Sequence, residues 1–183
     1  MQIDRIYYPV TTLGYGKRIG IWTIGCSHHC YNCSNPELWN DNPTKDVEVE
    51  RLVEYIKSIP KADGITITGG DPFDQPEELL ILIKEIKKLG YEDILVYTGY
   101  TFDELLRKDE LYNKILTSIG VLVDGRYIDQ LNDNRSFRGS SNQKIIVINQ
   151  NLKERYIDAE KWERKTQITV NDNFIQAIGL PIK

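Results

Sequence analysis

Three cysteines, Cys26, Cys30 and Cys33, fall within eight consecutive positions, and the 183-residue chain has no others. An odd number packed this tightly is a poor disulfide framework. In a reducing compartment it reads as metal-binding or redox-active. The spacing is C-x3-C-x2-C. A structural zinc site wants four protein ligands, commonly as two close pairs, and no second pair exists. His28 and His29 lie inside the loop, would strain a tetrahedral site, and read as polar loop residues. An iron–sulfur cube prefers four thiolates. Three thiolates hold three irons and leave one iron open, and an open position makes a metal site reactive. The spacing favours such a cluster over zinc and over three unliganded thiols.

The chain around this cluster has the length of one domain, with no internal repeat or long Pro/Gly/Ser linker. The formal net charge is −4, which argues against a nucleic-acid partner. No apolar run approaches membrane-spanning length, and Met1–Tyr8 lacks a signal-peptide core. A cytoplasmic protein is expected. Strand and helix signals alternate, so the fold class is α/β with a mostly parallel sheet. Strands are expected at 18–25, 65–68, 93–98, 119–123 and 144–148, with a further one near 167–170. Helices are expected at 46–59, 76–89 and 101–116. Val49, Leu52, Val53 and Ile56 form the apolar face of the first helix, and Pro60 stops it. Thr101 and Glu104 make a capping box for the third. Residues 1–150 are read as the core domain and 151–183 as a C-terminal extension, a solvated helix plus a terminal hairpin.

The residue types suited to chemistry follow the strands. They are the Cys loop, Gly69-Gly70-Asp71-Pro72, Thr98-Gly99-Tyr100 and Asp124. Such loops share one rim in parallel α/β folds, so these motifs are expected to converge. Gly69 and Gly70 would let backbone approach a ligand closely, with Asp71 as an acceptor for a bound amino group. The plain alternative is a tight turn capped by Asp71. Asp124, Thr98 and Tyr100 are candidates for ligand contact, against an Asp-Gly turn and ordinary loop positions. Lys17 and Arg18 are read as solvated cations.

Cys26-Ser-His-His-Cys30-Tyr-Asn-Cys33 and the Gly69–Pro72 stretch resemble the cysteine signature and "GGEP" motif of radical S-adenosylmethionine enzymes, with Asp for Glu. Within that superfamily the chain is similar to the activating proteins of anaerobic (class III) ribonucleoside-triphosphate reductases. The similar stretches are Tyr7–Val10, Tyr97–Tyr100 with Asp103–Leu105, Val121–Gly125 and Arg138–Gln143. The resemblance implies a partial (β/α)6-like radical SAM barrel, a chain too short for eight strand–helix units. It implies a [4Fe-4S] cluster on Cys26, Cys30 and Cys33, with S-adenosyl-L-methionine chelating the open iron. Contacts to that cofactor are expected from Asn32, Cys33, Ser34, Gly69, Gly70, Asp71, Thr98 and Asp124. Asn32 stands where many members have an aromatic residue, so backbone contacts from Asn32 to Ser34 would replace a side-chain stack. The implied reaction is reductive cleavage to a 5′-deoxyadenosyl radical that generates a glycyl radical on the large reductase subunit. A reduced flavodoxin- or ferredoxin-type protein would donate the electron. Competing readings are an activase of another glycyl-radical enzyme, a radical enzyme acting on a small molecule or peptide, and a zinc module.

Overall fold

The structure is a computed structural model that describes residues 1–171 and 174–182. Its centre is one six-stranded sheet in sequence order: β1 (Ile3–Val10), β2 (Arg18–Thr23), β3 (Gly64–Gly69), β4 (Ile94–Tyr97), β5 (Val121–Asp124) and β6 (Lys144–Val147). β2 to β5 run parallel, and the outer strands β1 and β6 pair antiparallel with their neighbours. The architecture is therefore mixed α/β with a mostly parallel centre. β1 was not expected. Its Asp4, Arg5 and Pro9 blur the alternation that marks a strand, and pairing to β2 overrides them.

Helices α1 (Val49–Ser58), α2 (Pro76–Lys88), α3 (Phe102–Leu106) and α4 (Glu110–Ser118) fill the crossovers. α1 buries the face expected of it, Val49, Leu52, Val53 and Ile56. The Thr101–Glu104 capping box is present. The single helix expected after it is two helices, because the Asp109 carboxylate accepts the Leu111 N–H at 2.9 Å and starts α4 afresh. Alternation along the strands separates the two faces. Ile94, Val96 and Leu122 face the helix-covered core, while Leu95, Val121 and Val123 face the opposite side. That side is covered by Phe137 and by Leu152, Tyr156 and Ala159 of the C-terminal segment. The segment contains α5 (Lys153–Tyr156) and a hairpin of β7 (Gln167–Asn171) and β8 (Phe174–Ile178). A short helix and a terminal hairpin thus stand where a solvated helix and a hairpin were expected, but Tyr156 is buried. No described helix is long and apolar enough to cross a membrane.

Arg18, read from the sequence as solvated, has no exposed side-chain surface. It sits at the start of β2, at the opposite end of the strands from the rim loops. It donates to Thr66 Oγ1 at 2.6 Å, to the Ile65 carbonyl at 2.7 Å and to Asp93 Oδ1 at 3.0 Å. Asp93 also takes Tyr156 Oη at 2.9 Å and Arg155 at 2.8 Å, so the C-terminal segment is fastened to the base of the sheet. Removing one partner of a buried ion pair leaves the other charge uncompensated. Asp93→Ala is therefore expected to lose about 3–5 kcal/mol of stability, measured as a fall in the urea midpoint. A midpoint unchanged from the native chain would refute this account of the Arg18 network.

Candidate functional site

The loops that leave β2, β3, β4 and β5 meet in one cleft at the C-terminal ends of the parallel strands. Cys26, Cys30 and Cys33 line it, with Ser34, Gly69, Gly70, Asp71 and Thr98. The convergence expected from the strand order is observed. The Cys loop is anchored where it leaves β2. Gly25 N–H donates to the Leu38 carbonyl at 2.8 Å and Cys26 N–H to that of Trp39 at 2.9 Å. Ser27 N–H donates to Asp74 Oδ2 at 2.7 Å, and Tyr100 Oη to Asp74 Oδ1 at 2.8 Å. Burial, assisted by Asp74, pushes the Tyr100 hydroxyl up to about 12.

Gly70 packs against backbone. A Cβ there would lie 2.1 Å from the Gly25 carbonyl oxygen. Gly70 N–H donates to the Thr23 carbonyl, and Asp71 N–H to that of Gly25 at 2.7 Å. The small residue expected to admit a ligand thus also lets β3 run flush against the residue before Cys26. Gly69 adopts φ 111°, which favours glycine, and a Cβ would meet Thr23.

Asp71 is 1% exposed. Its carboxylate accepts Thr98 Oγ1 at 3.0 Å, Gly99 N–H at 2.8 Å and Phe73 N–H at 3.0 Å. His28 Nε2 stands 3.0 Å from Oδ2, close enough for an ion pair but not aligned for a hydrogen bond. Asp71 therefore already binds three loops together at the cleft wall, beyond the free-acceptor role expected of it. Two expected residues do not line the cleft. Asp124 is buried, but its oxygens accept Phe102 N–H at 2.7 Å and Lys144 N–H at 3.0 Å. It ties α3 and β6 to the end of β5, where a contact to the ligand was expected. Asn32 is exposed, at φ 56°, and its amide donates to Asp129 at 3.0 Å.

Several lining residues escaped the sequence reading. His28 was read as an ordinary polar residue, yet its ring is 3% exposed and packs edge-on against Tyr100 at 4.4 Å. The His28 ring nitrogens, Trp39 Nε1 and Tyr97 Oη are buried without hydrogen-bond partners, and all three residues line the cleft. Arg164, Leu180 and Pro181 complete the wall from the C-terminal segment. Arg164 donates to Asn132 Oδ1 and to the carbonyls of Arg135, Arg138, Gly139 and Pro181. Burial among these neutral acceptors holds its guanidinium below the ordinary value. No motif marks it, because its partners are backbone oxygens. Arg138–Gln143 also gains a role: Gln143 accepts from Gly139 N–H and donates to the Gly125 carbonyl, both at 2.7 Å, shaping the far wall.

Burial pushes the Cys26 thiol up to about 11 and raises that of Cys30. Among the described residues no three His, Cys, Asp or Glu side chains gather as a single metal ion would require. Three thiols lining one cleft are the donor type that an iron–sulfur cluster takes.

Residues 12–146 match the family model described as a 4Fe-4S single cluster domain. The fold and the thiols thus define an iron–sulfur protein of the single-cluster class. The chain is 34% identical over 154 residues to the anaerobic ribonucleoside-triphosphate reductase-activating protein of Pasteurella multocida, covering 79% of this chain and 96% of that one. It is 34% identical over 149 residues to the protein of that name from Escherichia coli K12 (76% and 94% covered), and 31% identical over 150 residues to that of enterobacteria phage T4 (79% and 93%). The chain belongs to this family of anaerobic ribonucleoside-triphosphate reductase-activating proteins. Among solved structures, QueE from Escherichia coli aligns with a TM-score of 0.47 and 22% identity, over 54% of this chain and 52% of that one.

Two predictions follow from the geometry. Gly70→Ala should cost about 1–3 kcal/mol through overpacking against Gly25, and should lower the iron bound per chain after anaerobic reconstitution. Native iron content in that variant would mean the contact does not position Cys26. In the metal-free protein an acid with a raised pKa holds its proton longer. Cys26 should therefore react with iodoacetamide roughly tenfold more slowly at pH 8 than an ordinary thiol, the smaller thiolate fraction being partly offset by greater thiolate nucleophilicity, accelerating until about pH 11. Peptide mapping of the alkylated protein measures this.

Proposed function

We propose that this chain is a radical S-adenosylmethionine oxidoreductase that activates an anaerobic ribonucleoside-triphosphate reductase by generating a glycyl radical on its large subunit. The observation that carries the reading is the opening of all three thiols into the cleft that Gly69, Gly70 and Asp71 line. When bound, a [4Fe-4S] cluster and S-adenosyl-L-methionine supply the chemistry, one-electron cleavage to a 5′-deoxyadenosyl radical. Cys26, Cys30 and Cys33 hold three irons. The 4Fe-4S family match and the activating-protein relatives support that assignment.

The protein's own part is to bind, orient and exclude water. Ser34, the Gly69–Asp71 turn and Thr98 surround the ligand, with Asp71 fixing the loops that carry them. His28 Nδ1, Trp39 Nε1 and Tyr97 Oη offer polar atoms without a protein hydrogen-bond partner. Asn32 and Asp124 act at one remove, through the loops they hold. Arg164 and Pro181 close one side. Four parallel strands feeding one rim, between unclosed sheet edges, support the partial (β/α)6-like barrel, and such a rim can admit a segment of another protein. Residues 1–150 form the radical SAM core, and 151–183 an extension packed against it. A reduced flavodoxin- or ferredoxin-type protein donates the electron, and the reaction belongs in the cytoplasm.

The test is anaerobic incubation of the reconstituted chain with the reductase large subunit, S-adenosylmethionine and a strong reductant. A glycyl-radical doublet in the EPR spectrum is expected, with methionine and 5′-deoxyadenosine as products. Cys26→Ala, Cys30→Ala and Cys33→Ala should each abolish cleavage. Cleavage that yields a radical only on a different glycyl-radical enzyme would reject the reductase as substrate.

A further inference from the structure

The C-terminal hairpin is patterned inside out. In a sheet with one covered face, the apolar positions normally point to the core and the polar ones to water. Here Gln167, Thr169, Gln176 and Ile178 share the inward face. The hairpin is fastened there by hydrogen bonds: Thr11 N–H donates to Gln167 Oε1 at 3.0 Å, Gln167 Nε2 to the Pro9 carbonyl at 2.8 Å, and Thr12 Oγ1 to the Ile178 carbonyl at 3.0 Å. Ile178 is the buried apolar anchor, packed with Val10, Leu13 and Trp22. The outward face carries Ile168, Val170, Ile175 and Ala177, with Ile168 opposite Ala177 and Val170 opposite Ile175. Ile168, Val170 and Ile175 are 59%, 72% and 73% exposed. A contiguous apolar face held out on a fixed hairpin marks an interaction surface.

We propose that this outward face docks the reductase polypeptide and guides its glycine-bearing segment to the cleft, an inference that rests on the function proposed above. The place of the hairpin selects this occupant. The chain that leaves β8 runs directly into Leu180 and Pro181, which line the cleft. Pro181 is also clasped by Arg164. A polypeptide lying on the hairpin is therefore already at the cleft mouth. The patch has four outward residues, Ile168, Val170, Ile175 and Ala177, well short of the roughly 20–30 residues a side of a stable interface. It is too small to hold a second copy of this chain by itself, but suits one part of a composite contact with a substrate that must leave after each turnover. The net charge of −4 disfavours an anionic lipid surface. The hairpin also lies beyond the matched residues 12–146.

Two double variants test this. Val170→Thr with Ile175→Thr keeps β-branched shape and strand preference while removing the apolar surface. Val170→Lys with Ile175→Glu places opposite charges across the same pair. Both should retain the native thermal midpoint and iron content, and cleave S-adenosylmethionine without the reductase at the native rate. Both should bind the reductase large subunit about tenfold or more weakly by calorimetry, and yield correspondingly less glycyl radical at limiting concentration. Native affinity in both variants overturns the proposal, as does a native chain that shows no binding to the reductase. Sedimentation of the native chain as a dimer that the variants dissociate, with reductase binding intact, would assign the face to a second copy. A native chain that binds the reductase but never forms its radical defeats the proposed function and leaves the docking surface standing.

Discussion

The buried carboxylate of Asp71 organises the site. An ionised carboxylate at 1% exposure is costly unless donors surround it. Here the donors come from separate stretches: Phe73 from its own turn, Thr98 and Gly99 from the end of β4, with His28 of the Cys loop beside it. Satisfying this carboxylate joins its own turn after β3 to the end of β4, and His28 Nε2 at 3.0 Å sets the Cys loop beside them. A network of this kind is stable only when complete. That makes the rim stiff where Gly69–Asp71 and Thr98 line the cleft, the condition for holding a reactive ligand in register.

A second buried charge sits at the opposite end of the strands, where Arg18 and Asp93 join β2, β3 and the start of β4. The C-terminal segment is fixed at both ends. Tyr156 and Arg155 bind Asp93 at the base, and Arg164 with Pro181 closes the cleft at the rim. The segment therefore acts as a brace across the sheet face that helices leave bare. Its removal would expose Leu95, Val121 and Val123 as well as one wall of the cleft.

The parts legible in the sequence were those written in local signals. The cysteine spacing, the period of α1, the Thr101 capping box and the Gly69-Gly70-Asp71-Pro72 turn each depend on neighbouring residues, and each has its counterpart in the structure. What stayed hidden depends on contacts distant in sequence. Arg18 looks like any surface cation until Asp93, 75 positions later, is packed against it. Arg164 is held by carbonyl oxygens, which every residue carries and no composition records. His28 differs from His29 only in which way the loop turns: one ring is buried against Tyr100, the other stacks on Trp39. Asp124, read as a candidate ligand contact, accepts two backbone N–H groups from distant stretches, which no local signal records.

The Cys loop carries costs that the fold alone does not offset. His29 and Asn32 have φ of 47° and 56°, a left-handed conformation costing about 1 kcal/mol each for residues other than glycine. Burial also keeps the Cys26 and Cys30 thiols protonated at neutral pH, although only thiolates bind iron. If these thiols hold the cluster as proposed, loading the loop would release their protons. Metal affinity and loop order are consequently linked. The anchors at Gly25, Cys26 and Ser27 keep the loop near its final path beforehand. They would lower the entropy lost if a cluster binds there.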